Sequence, residues 1–137
     1  MIRSEDELRD ILNRALDAIS NNRYEHIYRR DLKTGRKVVY HLDRDLEKLS
    51  ACCRDYPVTK EQTYWEIIFD CLEAANEDPL RTYKPPKASV CTHHEALGSE
   101  MYAFVVQLQD FTRPIYTKFC LTERSDGECY VSIDCHT

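Results

Sequence analysis

The chain has 137 residues, of which 42% are apolar and 31% charged, and its formal net charge is −5. This composition suits a single domain covering residues 1–137 and excludes a disordered chain or a repeat array. No apolar run approaches the roughly 20 residues that cross a bilayer, so we expect no membrane span. The negative charge argues against an extended nucleic-acid-binding surface, although a local basic patch remains compatible with it.

Seven cysteines are many for this length, and the number is odd. The first residues, from Met1 to Glu7, lack the apolar stretch of a secretory signal. A secreted disulfide scaffold usually has both a signal and an even number of cysteines. We therefore expect a cytoplasmic protein whose thiols are reduced and mostly buried as small apolar groups.

The clearest helix covers residues 5–20. Ser4 and Glu7 form a capping box at its start, and Asn21 follows its last apolar position. Apolar residues recur at three- and four-residue intervals, which predicts a helix with one face on a core. These residues are Leu8, Ile11, Leu12, Leu16 and Ile19.

Two further helices are predicted between residues 43 and 75. Residues 43–54 have helical spacing and stop before Pro57, which disfavours helix at the residue preceding it. Residues 60–75 form the third helix, and Thr59 with Gln62 makes a second capping box. The predicted inward residues are Leu46, Leu49 and Cys53 in the shorter helix, and Trp65, Ile68, Phe69 and Leu72 in the longer one.

A β-hairpin is predicted between the first two helices. Its strands are residues 24–30 and 37–42, and Gly35 supplies the positive φ that the turn requires. The hairpin carries the densest basic cluster of the chain. This cluster is either a solvated hairpin tip or a patch that contacts phosphate, and its members are Arg29, Arg30, Lys33, Arg36 and Lys37.

The C-terminal part is predicted to be a long loop followed by three strands. Residues 78–98 lack a clear period and contain three prolines, and loops of that length in compact domains are usually functional or disordered. The strands cover residues 101–109, 114–123 and 128–136, and their short turns predict an antiparallel meander. The loop's aromatic and basic residues include Arg81, Tyr83, Lys84, Lys87, His93 and His94.

Alternation along these strands separates an apolar set of side chains from a polar one. We expect the apolar set to meet the helices, which gives an α+β fold with N-terminal helices packed on one face of a C-terminal antiparallel sheet. The polar set is either an ordinary solvated face or an RNA-binding surface. The apolar set is Phe104, Val106, Leu108, Ile115, Phe119, Leu121, Val131, Ile133 and Cys135; the polar set is Val105, Gln107, Gln109, Tyr116, Lys118, Cys120, Tyr130, Ser132, Asp134 and His136.

The final strands resemble those of a known group of small ribonucleases. Residues 116–119 read Y-T-K-F and residues 131–136 read V-S-I-D-C-H, while residues 78–86 read D-P-L-R-T-Y-K-P-P. Over residues 58–137 this pattern is similar to the C-terminal half of MqsR-type toxins, which belong to the RelE-like group. The resemblance implies a RelE-like fold, a functional lysine before the sheet, and a glutamine on the first strand, for which Gln107 is the counterpart.

The resemblance also implies an activity and its partners. Such toxins cleave mRNA without a metal or other cofactor by attack of the ribose 2′-hydroxyl, and a cognate antitoxin protein silences them. We expect no DNA contact by this chain alone. Under this hypothesis Lys84, Lys118 and Arg81 stabilise the phosphate, Tyr116 stacks on a base or orients the scissile group, and His136 is the general acid or base.

Two other chemistries use the cysteines. Cys91, His93 and His94 lie within one loop, so they suggest either a structural zinc site or a cysteine nucleophile activated by histidine. The chain has no C-x₂-C pair, which weakens the zinc hypothesis. The remaining residues that such a site might recruit are Cys120, Cys129, Cys135 and His136.

A third class is a non-catalytic interaction or regulatory module of the same fold. The acidic net charge favours it, because an acidic chain is less suited to RNA. The N-terminal 57 residues, which match no motif, favour it as well. A degraded relative of a toxin would also keep the fold and lose the chemistry.

Overall fold

The computed structural model describes residues 3–26, 28–30, 32–39, 42–54, 58, 61–85, 98–123 and 129–136. Helices and strands are mixed along the chain, which confirms the α+β class. The elements are α1 (Glu5–Ser20), β1 (Tyr24–His26), β2 (Tyr28–Arg30), β3 (Lys37–Val39), α2 (Leu42–Cys52), α3 (Glu61–Glu77), α4 (Pro79–Thr82), β4 (Tyr102–Val106), β5 (Ile115–Glu123) and β6 (Cys129–His136).

Helix α1 begins and ends where the sequence predicts. The Ser4 hydroxyl accepts a hydrogen bond from the Glu7 backbone N–H at 3.2 Å and donates to the Glu7 carboxylate at 3.2 Å. This arrangement satisfies a backbone donor that the helix itself leaves unpaired. Three acidic residues in the first turn also interact favourably with the positive N-terminal end of the helix dipole.

The main sheet has the strand order β1-β6-β5-β4. Strands β4, β5 and β6 form the predicted antiparallel meander. Strand β1 pairs in parallel with β6, with Tyr24 opposite Val131. The sheet is therefore mixed, and its parallel edge comes from the first quarter of the chain.

The predicted hairpin is wrong in its first half. Only β2 and β3 pair as a hairpin, with Arg29 opposite Val38, and Gly35 has the expected positive φ of 70°. The segment Tyr24–His26 belongs to the main sheet instead. One physical reason is visible at Tyr24, whose ring lies 4.2 Å from that of Trp65 and so packs against α3.

Helices α1 and α3 pack on one face of the sheet, as predicted. Their fully buried residues share a single core with Phe104, Ile115 and Phe119 of the strands. Helix α3 is buried around more of its circumference than its predicted stripe. It contributes Tyr64, Trp65, Ile67, Ile68, Cys71, Leu72 and Ala75 to the core.

The predicted loop 78–98 does not begin as a loop. Asp78 caps the short helix α4, because its carboxylate accepts from the Arg81 N–H, and Pro79 occupies the first helical position. The Thr82 hydroxyl donates to the Asp78 carbonyl at 2.9 Å and is buried. The part of that loop at residues 86–97 lies outside the described residues, as does Thr59 of the second predicted capping box.

The end of α2 also differs from the prediction. The helix stops at Cys52, and Cys53 forms a bridge with Phe111 beyond β4. The Thr112 N–H donates to the Cys52 carbonyl at 2.8 Å, so a long-range contact ends the helix. Four cysteines are free thiols, as expected: Cys52, Cys71 and Cys120 are buried and Cys53 is half-buried.

Candidate functional site

The predicted site residues Tyr116 and Lys118 lie on the side of β5 that faces away from the helix core. Ile115, Thr117 and Phe119 alternate with them and are fully buried, whereas Tyr116 and Lys118 are half-buried. We call the side of the sheet that carries Tyr116, Lys118, Ala103 and Val105 the outer face. Across β4, Lys118 is in register with Ala103 and Tyr116 with Val105.

Lys84 extends the outer face beyond the edge of β4. Its backbone N–H donates to the Ala103 carbonyl at 2.9 Å, and the preceding Tyr83 bridges to Phe104. The Tyr83 ring lies 5.4 Å from that of Phe104 on the core side, so alternation directs the next residue to the outer face. Lys84 is exposed there. Its backbone and that of Lys118 are two strand spacings apart, about 10 Å.

His136 is located through its backbone pairing on β6, and Arg81 lies on α4. His136 ends β6, and its backbone is opposite Tyr116 in the register. Arg81 lies on α4, three residues before Lys84, with its side chain 77% exposed and its Nε 3.0 Å from the Asp78 carboxylate. The backbone therefore places His136 beside Tyr116, and Lys84 two strand spacings from Lys118, while Arg81 is paired with Asp78 on α4.

Part of the predicted open face is buried, which corrects the prediction for Cys120. Cys120 and Ala103 are fully inaccessible and Met101 is 5% exposed, yet none of the three belongs to the helix-side core. All three lie on the outer face by alternation. The accessible outer face thus narrows to the surroundings of Lys84, Val105, Tyr116 and Lys118.

Gln107, the predicted counterpart of a strand glutamine, lies just beyond β4. Its side-chain amide donates to the Phe111 carbonyl at 2.7 Å and to the Leu108 carbonyl at 3.1 Å. These bonds hold the turn between β4 and β5. In this structure the amide is therefore engaged with the turn backbone.

The zinc and cysteine-nucleophile hypotheses fall mainly on residues outside the description, because Cys91, His93 and His94 lie within residues 86–97. Within the described part of the chain, no three histidine, cysteine, aspartate or glutamate residues cluster closely enough to hold a metal.

A second candidate site, which the sequence did not predict, lies along the N-terminal half of α3. It is a cleft of about 660 Å³ between the end of α1, the start of β1 and one side of α3. We call it the acidic cleft, after Glu66 and Asp70 at its rim. Its lining residues are Ile19, Ser20, Tyr24, Gln62, Trp65, Glu66, Phe69 and Asp70.

The acidic cleft combines aromatic rings with carboxylate side chains. Tyr24 and Trp65 contact each other at its floor, with their rings tilted by 46°. The pKa of Asp70 is raised above its ordinary value, first by partial burial and then by repulsion from Glu66 and Asp110. The sequence signal for this site is the like-charged pair Glu66 and Asp70, four residues apart beside two aromatic residues.

No family model, curated protein or solved structure matches this chain. Within the described part of the chain, every helix is too short or too polar to span a lipid bilayer. The fold therefore defines the protein's class as a small α+β domain with a mixed four-stranded sheet. Its function is assigned below from the geometry of the two candidate sites and from the motif resemblance.

Proposed function

We propose that this protein is a metal-independent endoribonuclease of the RelE-like toxin type, acting on mRNA at the outer face and silenced by a cognate antitoxin protein. One observation carries the proposal. Ala103 is in register with Lys118 on one side and accepts the Lys84 N–H on the other. Two lysines, Lys84 exposed and Lys118 half-buried, therefore lie on either side of the buried Ala103, close enough for both ammonium groups to contact one phosphate at the surface.

The proposed reaction is a transesterification. The ribose 2′-oxygen attacks the adjacent phosphorus, the bond from phosphorus to the 5′-oxygen breaks, and a 2′,3′-cyclic phosphate and a 5′-hydroxyl result. One group accepts the proton of the 2′-hydroxyl and another donates a proton to the departing 5′-oxygen. No electron acceptor or metal is needed for this balance.

The proposed roles use these backbone positions. Lys84 and Lys118 stabilise the charge that develops on the phosphorane oxygens, as fixed cations do in other sites. Tyr116 offers a ring on which a base stacks. His136, whose backbone is opposite Tyr116, is the proposed acid or base. Arg81 is the third proposed cation, and it would exchange its Asp78 partner for phosphate.

The test is cleavage of a defined mRNA by purified protein in EDTA, with mass spectrometry of the ends. We expect fragments ending in cyclic phosphate, and no cleavage where the scissile ribose is 2′-O-methylated. Lys118→Met and Lys84→Met should each lower the rate about 100-fold. Lys48→Met is the matched control, because α2 packs on the other side of the sheet through the core residue Leu49.

Three outcomes contradict the proposal. Intact RNA with folded wild-type protein rules out the activity, and binding without cleavage favours the non-catalytic module instead. Equal losses for Lys118→Met and Lys48→Met show that only overall charge matters. A rate lowered by Lys33→Met alone moves the phosphate contact to the basic hairpin.

A further inference from the structure

The acidic cleft has the dimensions of a binding site but not the enclosure of a small-molecule pocket. Its volume of about 660 Å³ lies within the range of ligand sites, and it is open to solvent along one side. Small-molecule pockets usually bury most of the ligand surface. An open cleft of this size better suits a side chain that is presented by the surface of another polypeptide.

The floor of the cleft favours a flat, cationic group. Tyr24, Trp65 and Phe69 line it, and the Tyr24 and Trp65 rings are 4.2 Å apart between centroids. Tryptophan and tyrosine faces attract cations, and guanidinium stacks on them more often than ammonium does. Trp65 itself is only 6% exposed, so the accessible aromatic surface comes from the two half-buried rings, Tyr24 and Phe69.

The charge at the rim has the matching sign. Glu66 and Asp70 are both exposed and lie one helical turn apart on α3, a spacing at which like charges repel. Asp110, beyond β4, adds to the negative potential at Asp70. None of the described residues lining the cleft is a lysine or arginine.

We propose that the acidic cleft binds an arginine side chain from a basic segment of a partner protein, with the guanidinium over the aromatic floor and paired with Asp70 and Glu66. A guanidinium forms two parallel hydrogen bonds to a carboxylate, which lysine cannot do. This partner site is separate from the outer face and does not depend on ribonuclease activity.

The chain's single tryptophan, Trp65, reports on this site directly. The probe is a fluorescein-labelled hexapeptide of alternating glycine and arginine, titrated into the full chain at low salt by polarisation, with an unlabelled copy titrated against tryptophan emission. We expect saturable binding and a change in Trp65 emission. The same peptide with neutral citrulline in place of arginine should not bind, and the lysine peptide should bind several-fold more weakly.

Substitutions locate the binding. Asp70→Asn and Glu66→Gln should each weaken the arginine peptide about fivefold to tenfold, which is the range of a well-oriented ion pair with partial screening. Asp10→Asn is the matched control, since Asp10 is exposed on α1 and more than two turns from the cleft end of that helix. It removes the same charge and should change the affinity less than twofold.

The proposal is overturned if the arginine peptide does not bind, or if Asp10→Asn weakens it as much as Asp70→Asn does. It is also overturned if methylguanidine alone binds as tightly as the peptide, because the ligand would then be a small cation. Circular dichroism of each variant, together with its free Trp65 emission, checks that the fold is kept. If both cleft variants fail that check, Ser20→Arg, which places a competing cation at the rim, should weaken the peptide instead.

Discussion

The outer face and the acidic cleft have opposite charge and are built in different ways. The outer face depends on pairing between strands, because Lys84, Ala103 and Lys118 come from three different segments. The acidic cleft depends mainly on spacing along one helix, since Trp65, Glu66, Phe69 and Asp70 all lie on α3. Register determines the first surface, and helical periodicity determines most of the second.

This difference explains why a net charge of −5 is a poor guide to the local surface. Negative charge is concentrated on the helices, for example in the first turn of α1 and along α3 at the cleft. The lysines of the outer face lie on the sheet side of the domain. The two surfaces therefore face ligands of opposite charge, which can be tested separately.

The largest effect should come from the layer beneath the outer face. Phe119 is fully buried and stacks on Phe104 at 6.1 Å, so Phe119→Ala should lower the free energy of unfolding by about 3–5 kcal/mol. Its neighbour Lys118 is on the other side of the strand, and Lys118→Ala should cost less than about 1 kcal/mol. Urea denaturation measures both values. If both substitutions lowered the free energy of unfolding by similar amounts, the two sides of β5 would not differ in burial as described.

The next effect concerns how RNA affinity depends on salt. Each lysine that contacts phosphate of single-stranded RNA contributes about 0.7 to the slope of log affinity against log salt. Lys84→Met with Lys118→Met should therefore reduce the slope by about 1.4. Asp70→Asn, in the acidic cleft, should leave it unchanged. A slope that moves with Asp70→Asn would mean that RNA also approaches the cleft and that the surfaces are not separate.

Sequence patterns predict the parts of this fold that depend on local order. The α1 boundaries follow from the Ser4 and Glu7 cap and from regular apolar spacing. The antiparallel meander follows from alternation and short turns. Tyr116 and Lys118 share one side of β5 for the same reason, because alternation is a local property of a strand. The placement of Lys84 beside Ala103 depends instead on a contact between distant segments.

The missed features depend on contacts between distant segments. Strand β1 has only three residues, too few to show a period, and its partner β6 is at the other end of the chain. Cys120 has the same strand phase as the outward residues Tyr116 and Lys118, but it is buried, which alternation alone does not predict. The Asp78-Pro79 pair is a capping signal for α4, but the neighbouring prolines favour the prediction of a loop. The acidic cleft needs α1 and β1 beside α3, which helix spacing alone does not give.

A smaller effect is expected from a substitution in α4, which should alter the outer face and leave the acidic cleft unchanged. Asp78 caps α4, whose following residues position Lys84 beside Ala103, so Asp78→Ala should lower the free energy of unfolding by about 1 kcal/mol. Cleavage should fall a few-fold with it, while arginine-peptide binding at the cleft stays unchanged. Asp78→Asn is the control, because asparagine caps nearly as well without the charge. A weaker peptide affinity in Asp78→Ala would show that α4 also supports the cleft.

The smallest effect concerns Asp70 and pH. Its pKa in the folded protein is raised above the unfolded value of 3.8, first by partial burial and then by Glu66 and Asp110. At neutral pH the carboxylate is ionised in both states and the folded state bears the full unfavourable interaction. This cost falls as the pH drops through the folded pKa and disappears below 3.8.

Asp70→Asn should therefore stabilise the protein by only a few tenths of a kcal/mol near pH 7, since the group is largely solvent-exposed. The gain should shrink toward pH 3 in urea denaturation. Saturating arginine peptide should reverse the sign of this gain at pH 7, because binding that is fivefold to tenfold weaker deprives Asp70→Asn of about 1 kcal/mol of ligand stabilisation. A gain of the same size with and without peptide would mean that the cation binds elsewhere, and a gain that grows toward low pH would mean that Asp70 is stabilised as a carboxylate.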